Sequence, residues 1–256
     1  MKKILFALVI FSFLGSSAYL IRGYWQEQKL EGPDAPVSVT LEDLLDNKKS
    51  INDLPQVEPE LPSSINISMP FYTQAPLSNW DYPWQEACEE ASVLLVANVY
   101  KGLNLTTNSF NDELLRLVDW EMATFGAYEH TTIAQTAEMM ETNYGLETVI
   151  HENPTFEDFQ KILAAGHLII APFAGQHLGN PNYKNGGPVY HMMVVKGYDV
   201  EKMQIVTHDV GTRNGADYVY DWETIDFALH DWDDDDILLG EPRIIEVSGP
   251  EGSAKQ

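Results

Sequence analysis

The run Ala91-Ser92-Val93-Leu94-Leu95-Val96-Ala97-Asn98-Val99-Tyr100 is apolar on nearly every side when wound as a helix. Such a helix has no face to offer water, so the rest of the chain has to be built around it. Lys101 falls in its last turn and Gly102 follows as a C-cap. Counting back through Trp84-Gln85-Glu86-Ala87, Cys88 lands at or just inside the first turn. Unpaired amides and the helix dipole favour negative charge there, which predicts a thiol of lowered pKa. Glu89 and Glu90 come next. Carboxylates in a first turn help the helix but oppose a thiolate beside them.

Cys88 is the single cysteine among 256 residues, so no intramolecular disulfide is available and the core must hold the fold. The chain opens Met1-Lys2-Lys3, followed by an uncharged, largely apolar stretch from Ile4 to Ile21. That pattern predicts export, either through a signal peptide cleaved after Ala18 or through an uncleaved anchor over residues 1–22. Both place the remainder outside the cytoplasm, with membrane attachment only through this segment. A net charge of −24 argues against nucleic acid or anionic membrane surfaces as partners. No internal repeat and no His-Glu-x-x-His metal motif occurs. The acids Asp231 and Asp233 to Asp236 lack EF-hand spacing and read as a solvated loop. No metal and no cofactor is expected.

Residues 23–64 are acidic and contain five prolines (Pro33, Pro36, Pro55, Pro59 and Pro62). They read as a linker in which Leu41 to Leu54 could form a short helix. Residues 65–248 read as one domain and 249–256 as a C-terminal tail. Within the domain, Ile65 to Tyr72 alternates as a strand. Helices are expected at Ser109 to Ala123, Thr131 to Tyr144 and Thr155 to Ala165, the last capped by Thr155. Strands are expected at Glu147 to His151, His167 to Phe173, His191 to Tyr198 and Met203 to Asp209, the final two joined by a turn at Gly197 to Lys202. Helices first and strands later indicate an α+β fold with an antiparallel sheet.

A thiol nucleophile needs a base, and the base needs a group to orient it. His191 opens an apolar strand after the glycine-rich stretch Gly175 to Pro188, and Asp209 ends the neighbouring strand. If those strands pair, the two side chains meet at one sheet end. His208 alternates with Asp209 and should face the other way. His130, His151, His167, His177 and His230 lack an acidic partner at a comparable sheet end and read as structural or surface residues, with His177 a lesser candidate because its loop could border the cleft. An oxyanion also needs donors. The Cys88 amide is one, and Gln74 or Gln85 could supply the second. Gln74, after a strand and before a long loop, has the freedom to approach the thiol from the opposite wall. Trp80, Tyr82, Trp84 and Phe71 either line a cleft or pack as core.

The order Gln74, Cys88, His191, Asp209 resembles that of papain-like cysteine peptidases, in particular the bacterial C39-like group related to bacteriocin-leader peptidases. The similarity rests on Met69-Pro70-Phe71-Tyr72-Thr73-Gln74, on Ala87-Cys88 through Leu94, and on His191-Met192-Met193-Val194-Val195-Lys196-Gly197-Tyr198-Asp199 closed by Asp209. It spans about residues 65–245. The resemblance implies a helical half packed on a sheet half, with the site between them. It implies Cys88 as nucleophile, His191 as base and acid, Asp209 as orienter and Gln74 as oxyanion donor. A Gly often follows the nucleophile in this group, where this chain has Glu89. The implied activity is hydrolysis of a peptide bond in a peptide or protein substrate. The alternatives are a catalytically silent peptide-binding module and an acyltransferase of transglutaminase type.

Overall fold

The computed structural model describes residues 33–52 and 61–250. The central helix α2 follows a first helix, α1 (Leu41–Asn52), and a short strand, β1 (Ser64–Asn66). It spans Cys88–Lys101, every residue from Cys88 to Asn98 is buried, and Gly102 closes it in the left-handed conformation at φ 57°. The helix around which the chain had to be built is therefore the middle of the core. Around it lie α3 (Thr107–Thr124) and α4 (Ile133–Tyr144), and then β2 (Glu147–Glu152) and α5 (Phe156–Ala164). Three of these helices begin in the same way. Thr106, Thr132 and Thr155 each cap the backbone N–H three residues on, and the side chain there bonds back. These boxes fix starts that apolar spacing alone places only to within a turn.

The second half supplies most of the sheet: β3 (Leu168–Ala174), β4 (Tyr190–Asp199), β5 (Gln204–His208), β6 (Tyr218–Asp221) and β7 (Arg243–Ser248), with α6 (Trp222–Ala228) after β6. The order is β2-β7-β3-β4-β5-β6, with β1 pairing β4. All pairs are antiparallel. Strand β3 is buried at every position, and β4 at all but its last. Both faces of these strands are covered, so their sequences run apolar without alternation. Leu94, Leu95, Phe110, Leu117, Met140, Ile170, Val194 and Ile245 belong to one continuous core. The fold class is the expected α+β, helices packed with an antiparallel sheet.

Three expectations change in detail. The strand foreseen at Ile65 to Tyr72 ends at Asn66, apart from a bridge between Ile67 and Val39, and Pro70 interrupts its continuation. Strands β6 and β7 and helix α6 were not foreseen. The linker is not free throughout its length. Asn66 Nδ2 donates to the Pro36 carbonyl at 2.9 Å, Val39 N–H donates to the Asn66 carbonyl at 2.8 Å, and Leu41 and Leu45 lie over Gly166. An apolar edge on α1 finds a small residue to cover, and the segment from Pro36 to Leu45 packs on the domain. The export segment 1–22 and most of the tail (251–256) lie outside the described residues. Among those described, no helix is long and apolar enough to cross a membrane.

Candidate active site

Cys88 is the first residue of α2. A single 3-10 turn, Trp84–Glu86, delivers the chain to it, and Ala87 at the N-cap makes no side-chain cap. The Met192 N–H donates to Cys88 Sγ at 3.4 Å, and the Ser92 hydroxyl donates to the Met192 carbonyl at 3.2 Å. The start of the helix is thus fixed against β4 one residue after His191.

The structure brings His191 and Asp209 together. Antiparallel pairing of β4 with β5 puts both at one sheet end, and His191 Nε2 lies 2.9 Å from Asp209 Oδ1. A carboxylate accepts, so Nε2 carries the hydrogen of the neutral ring and Nδ1 is its basic nitrogen. Asp209 also accepts from the Tyr183 and Tyr220 hydroxyls at 2.6 Å each, from Asn180 Nδ2 at 2.9 Å and from the Gly211 N–H at 3.0 Å. Burial pushes its carboxyl up, but His191 and the two phenols outweigh burial and the net direction is down. Asp209 is therefore a buried anion with a full set of donors. Its loop closes tightly: Asp209 N–H donates to the Gly215 carbonyl at 2.9 Å. A Cβ at Gly215 would meet the Asp209 carbonyl oxygen at 1.8 Å, and one at Gly211 would meet His191 Cε1 at 2.8 Å.

The thiol differs from its expectation. Cys88 is 5 % exposed, and its Sγ donates to Glu89 Oε2 at 2.9 Å. Burial first and the Glu89 carboxylate second push the thiol well above its ordinary value, so a lowered pKa is corrected to a raised one. The dipole at a helix start is a partial charge, whereas Glu89 brings a full one into a dry setting. Glu89 Oε1 accepts from the Thr131 N–H at 3.1 Å. Burial and the neighbouring Glu90 push Glu89 itself up to about 8. Behind it, Glu90 faces Glu121 of α3, and burial with mutual repulsion drives Glu90 well above the carboxylate range. Among the described residues no cation is paired with either carboxyl, so a proton on one of them is what lets the pair sit together.

Gln74 is buried and its N–H donates to the Val210 carbonyl at 3.0 Å, which ties it to the Asp209 loop. Its Nε2 donates to the Trp84 and Gln85 carbonyls at 2.9 Å each, bracing the turn before Cys88, while its Oε1 is buried without a partner. Gln85 is exposed, and its amide donates to Glu86. His208 is structural: Nε2 donates to the Met69 carbonyl, Nδ1 accepts from the Asp217 N–H, and burial holds the ring down at about 4. His151 and His167 both bond Glu246, His230 bonds the Gly240 carbonyl, His130 stacks on Trp232 and His177 packs on Phe227. Trp84 bonds Asn111 and Phe71 packs on His208, whereas Tyr82 is exposed. Among the described residues no His, Cys, Asp and Glu group suits a metal ion. Sequence reasoning missed Asn180, Tyr183, Tyr220, Glu121 and Thr131. Tyr183 and Asn180 sit in the glycine-rich stretch Gly175 to Pro188, but nothing in their spacing points to Asp209.

Residues 66–234 match the model of the "Peptidase_C39 like family". Among solved structures, a candidate C39-like peptidase from Bacillus anthracis is similar over 76 % of this chain and 99 % of its own, at 14 % identity and a TM-score of 0.48. Xylellain, a cysteine protease from Xylella fastidiosa, is similar over 86 % of this chain and 96 % of its own, at 11 % identity and a TM-score of 0.36. No curated protein matches the chain.

Proposed function

Because the chain belongs to the Peptidase C39-like family and so to the cysteine peptidases, we propose that it hydrolyses a peptide bond through a Cys88-His191-Asp209 triad, outside the cytoplasm. The observation that carries the reading is the adjacency of two contacts. His191 holds Asp209 through Nε2, and the next residue, Met192, places its amide on Cys88 Sγ. In this reading the thiol proton passes to His191 Nδ1 as Sγ attacks the carbonyl carbon of the substrate. The amide of Cys88 faces the developing oxyanion, and Gln74 joins it if its amide turns from the Trp84 and Gln85 carbonyls. His191 then gives the proton to the leaving amine. Water, deprotonated by the same ring, resolves the thioester. The Asp209 anion holds the ring and supports its charged form. Export is supported by Lys2, Lys3 and the apolar stretch to Ile21.

The test is cleavage of a quenched peptide library by the purified protein, with mass spectrometry of the intact chain for an acyl adduct on Cys88. Cys88→Ala and His191→Ala should abolish both. Cleavage that survives Cys88→Ala overturns the reading. One observation favours a second reading, a binding module without turnover: the thiol is buried and bonded to Glu89. Peptide binding without cleavage, unchanged in Cys88→Ala, would establish that alternative.

A further inference from the structure

In the peptidase reading His191 receives the thiol proton, yet the structure gives that proton a different acceptor. We propose that Glu89 is a positioning residue that holds Cys88 as a hydrogen-bonded neutral thiol in the resting site, releasing it to His191 only when the Sγ–Glu89 contact breaks. This rests on the peptidase reading for the role of Cys88 and on independent geometry for the role of Glu89.

The contact is built from both sides. Glu89 Oε2 accepts the thiol at 2.9 Å, and Oε1 is fixed by the Thr131 N–H at 3.1 Å. Thr131 is held in turn, since the Tyr190 hydroxyl donates to its carbonyl at 3.0 Å. A chain of contacts therefore runs from the thiol through Glu89 and Thr131 to Tyr190, the residue before His191. Both members are buried, Cys88 at 5 % exposure and Glu89 at 1 %. In that setting a thiolate beside a carboxylate has no solvent to separate the charges, whereas a thiol donating to the carboxylate satisfies both groups.

The surroundings reinforce the neutral form. On its own helix, Glu90 adds a carboxyl that raises both Cys88 and Glu89. From α3, Glu121 faces Glu90. From β4, Tyr190 has its phenol raised by burial, by Glu89 and by Asp231, so it remains a donor. Asp231 has its carboxyl raised by burial and accepts the Ile133 N–H at the start of α4. The group that favours an anion on Cys88 is the Met192 amide, at 3.4 Å. Two carboxyls, Glu89 and Glu90, act against an anion on the thiol, and Glu89 is in direct contact with it.

The experiment exploits the single cysteine. The S–H stretching band in the Raman spectrum of the intact protein reports Cys88 alone, and Cys88→Ser identifies it. At pH 9, above the value of about 8 to which Glu89 is raised and below that of the raised thiol, we expect a band at the low frequency of a strong S–H donor. A missing band, or one at the position of an unbonded thiol, overturns the proposal without any variant at position 89. Glu89→Gln keeps the shape and a carbonyl for the Thr131 amide while removing the charge. Its band should move towards a weaker donor, and the midpoint of Cys88 alkylation against pH should fall by about one unit or more. An unmoved or raised midpoint in folded Glu89→Gln also overturns it. Neither readout uses substrate. Turnover without the shift sinks the role of Glu89 alone, and the shift without turnover sinks the peptidase reading alone.

Discussion

Asp209 and Glu90 are both 0 % exposed, yet one is held below its ordinary value and the other is pushed well above it. The two regions flank the same thiol. Asp209 accepts from His191, Asn180, Tyr183, Tyr220 and the Gly211 amide. Glu90 and Glu121 instead face each other, and among the described residues no cation is paired with either. Burial is common to both, so donors decide the charge. On one side of the site the protein stores an anion, and on the other it stores protons.

The largest effect should come from removing the stored anion. Asp209→Asn leaves the pocket its size but gives His191 an amide that can hold the wrong tautomer, and kcat should fall by about 10³ to 10⁴. Peptide cleavage with circular dichroism as a fold check measures it. A loss below tenfold would mean that the five donors serve the fold and not the reaction.

The second effect concerns the stored protons. Glu121 is pushed up to about 8, first by burial, and Glu89 likewise. A carboxyl raised in the folded state binds its proton more tightly there than in the unfolded chain. Its stabilisation is complete below the ordinary carboxyl range and is lost as pH rises towards 8. Within that window each such group should cost about 1.4 kcal/mol of stability per pH unit. Asp209 has the opposite sign and loses stability as pH falls through its lowered value. Urea unfolding from pH 5 to pH 9 should therefore show a decline that Glu90→Gln flattens, because an amide can donate to Glu121 at any pH. A flat wild-type profile would mean that the acids are not protonated in the fold.

The smallest effect separates one donor from the set. Tyr220→Phe removes one hydroxyl from Asp209 and should lower stability by about 1–3 kcal/mol while Tyr183, Asn180 and His191 remain. Chemical denaturation measures it. A null result would show the donors to be redundant.

Much of this was legible in the sequence where a local rule carried it. Gly102 ended the central helix, Thr155 began α5, and the turn near Asp199 implied that His191 and Asp209 share a sheet end. The placement of Gln74 beside the Asp209 loop was not legible, because a hydrogen bond to Val210 depends on the route of the loop between them. Nor was the meeting of Glu90 with Glu121, since both look like solvated helix acids until α3 packs on α2. The thiol was read wrongly for a related reason. Spacing located Cys88 at a helix start but gave no account of how deeply the start is buried, and burial there dominates.

The tight loop after Asp209 bears on how variation at this site would be interpreted. A side chain at position 215 collides with the Asp209 backbone, and one at 211 with the His191 ring. In a saturation library, both positions would score as intolerant as a nucleophile while contributing no side chain. A map of lethal substitutions on this protein would therefore draw the active site larger than the chemistry, with two of its points marking empty space that must stay empty.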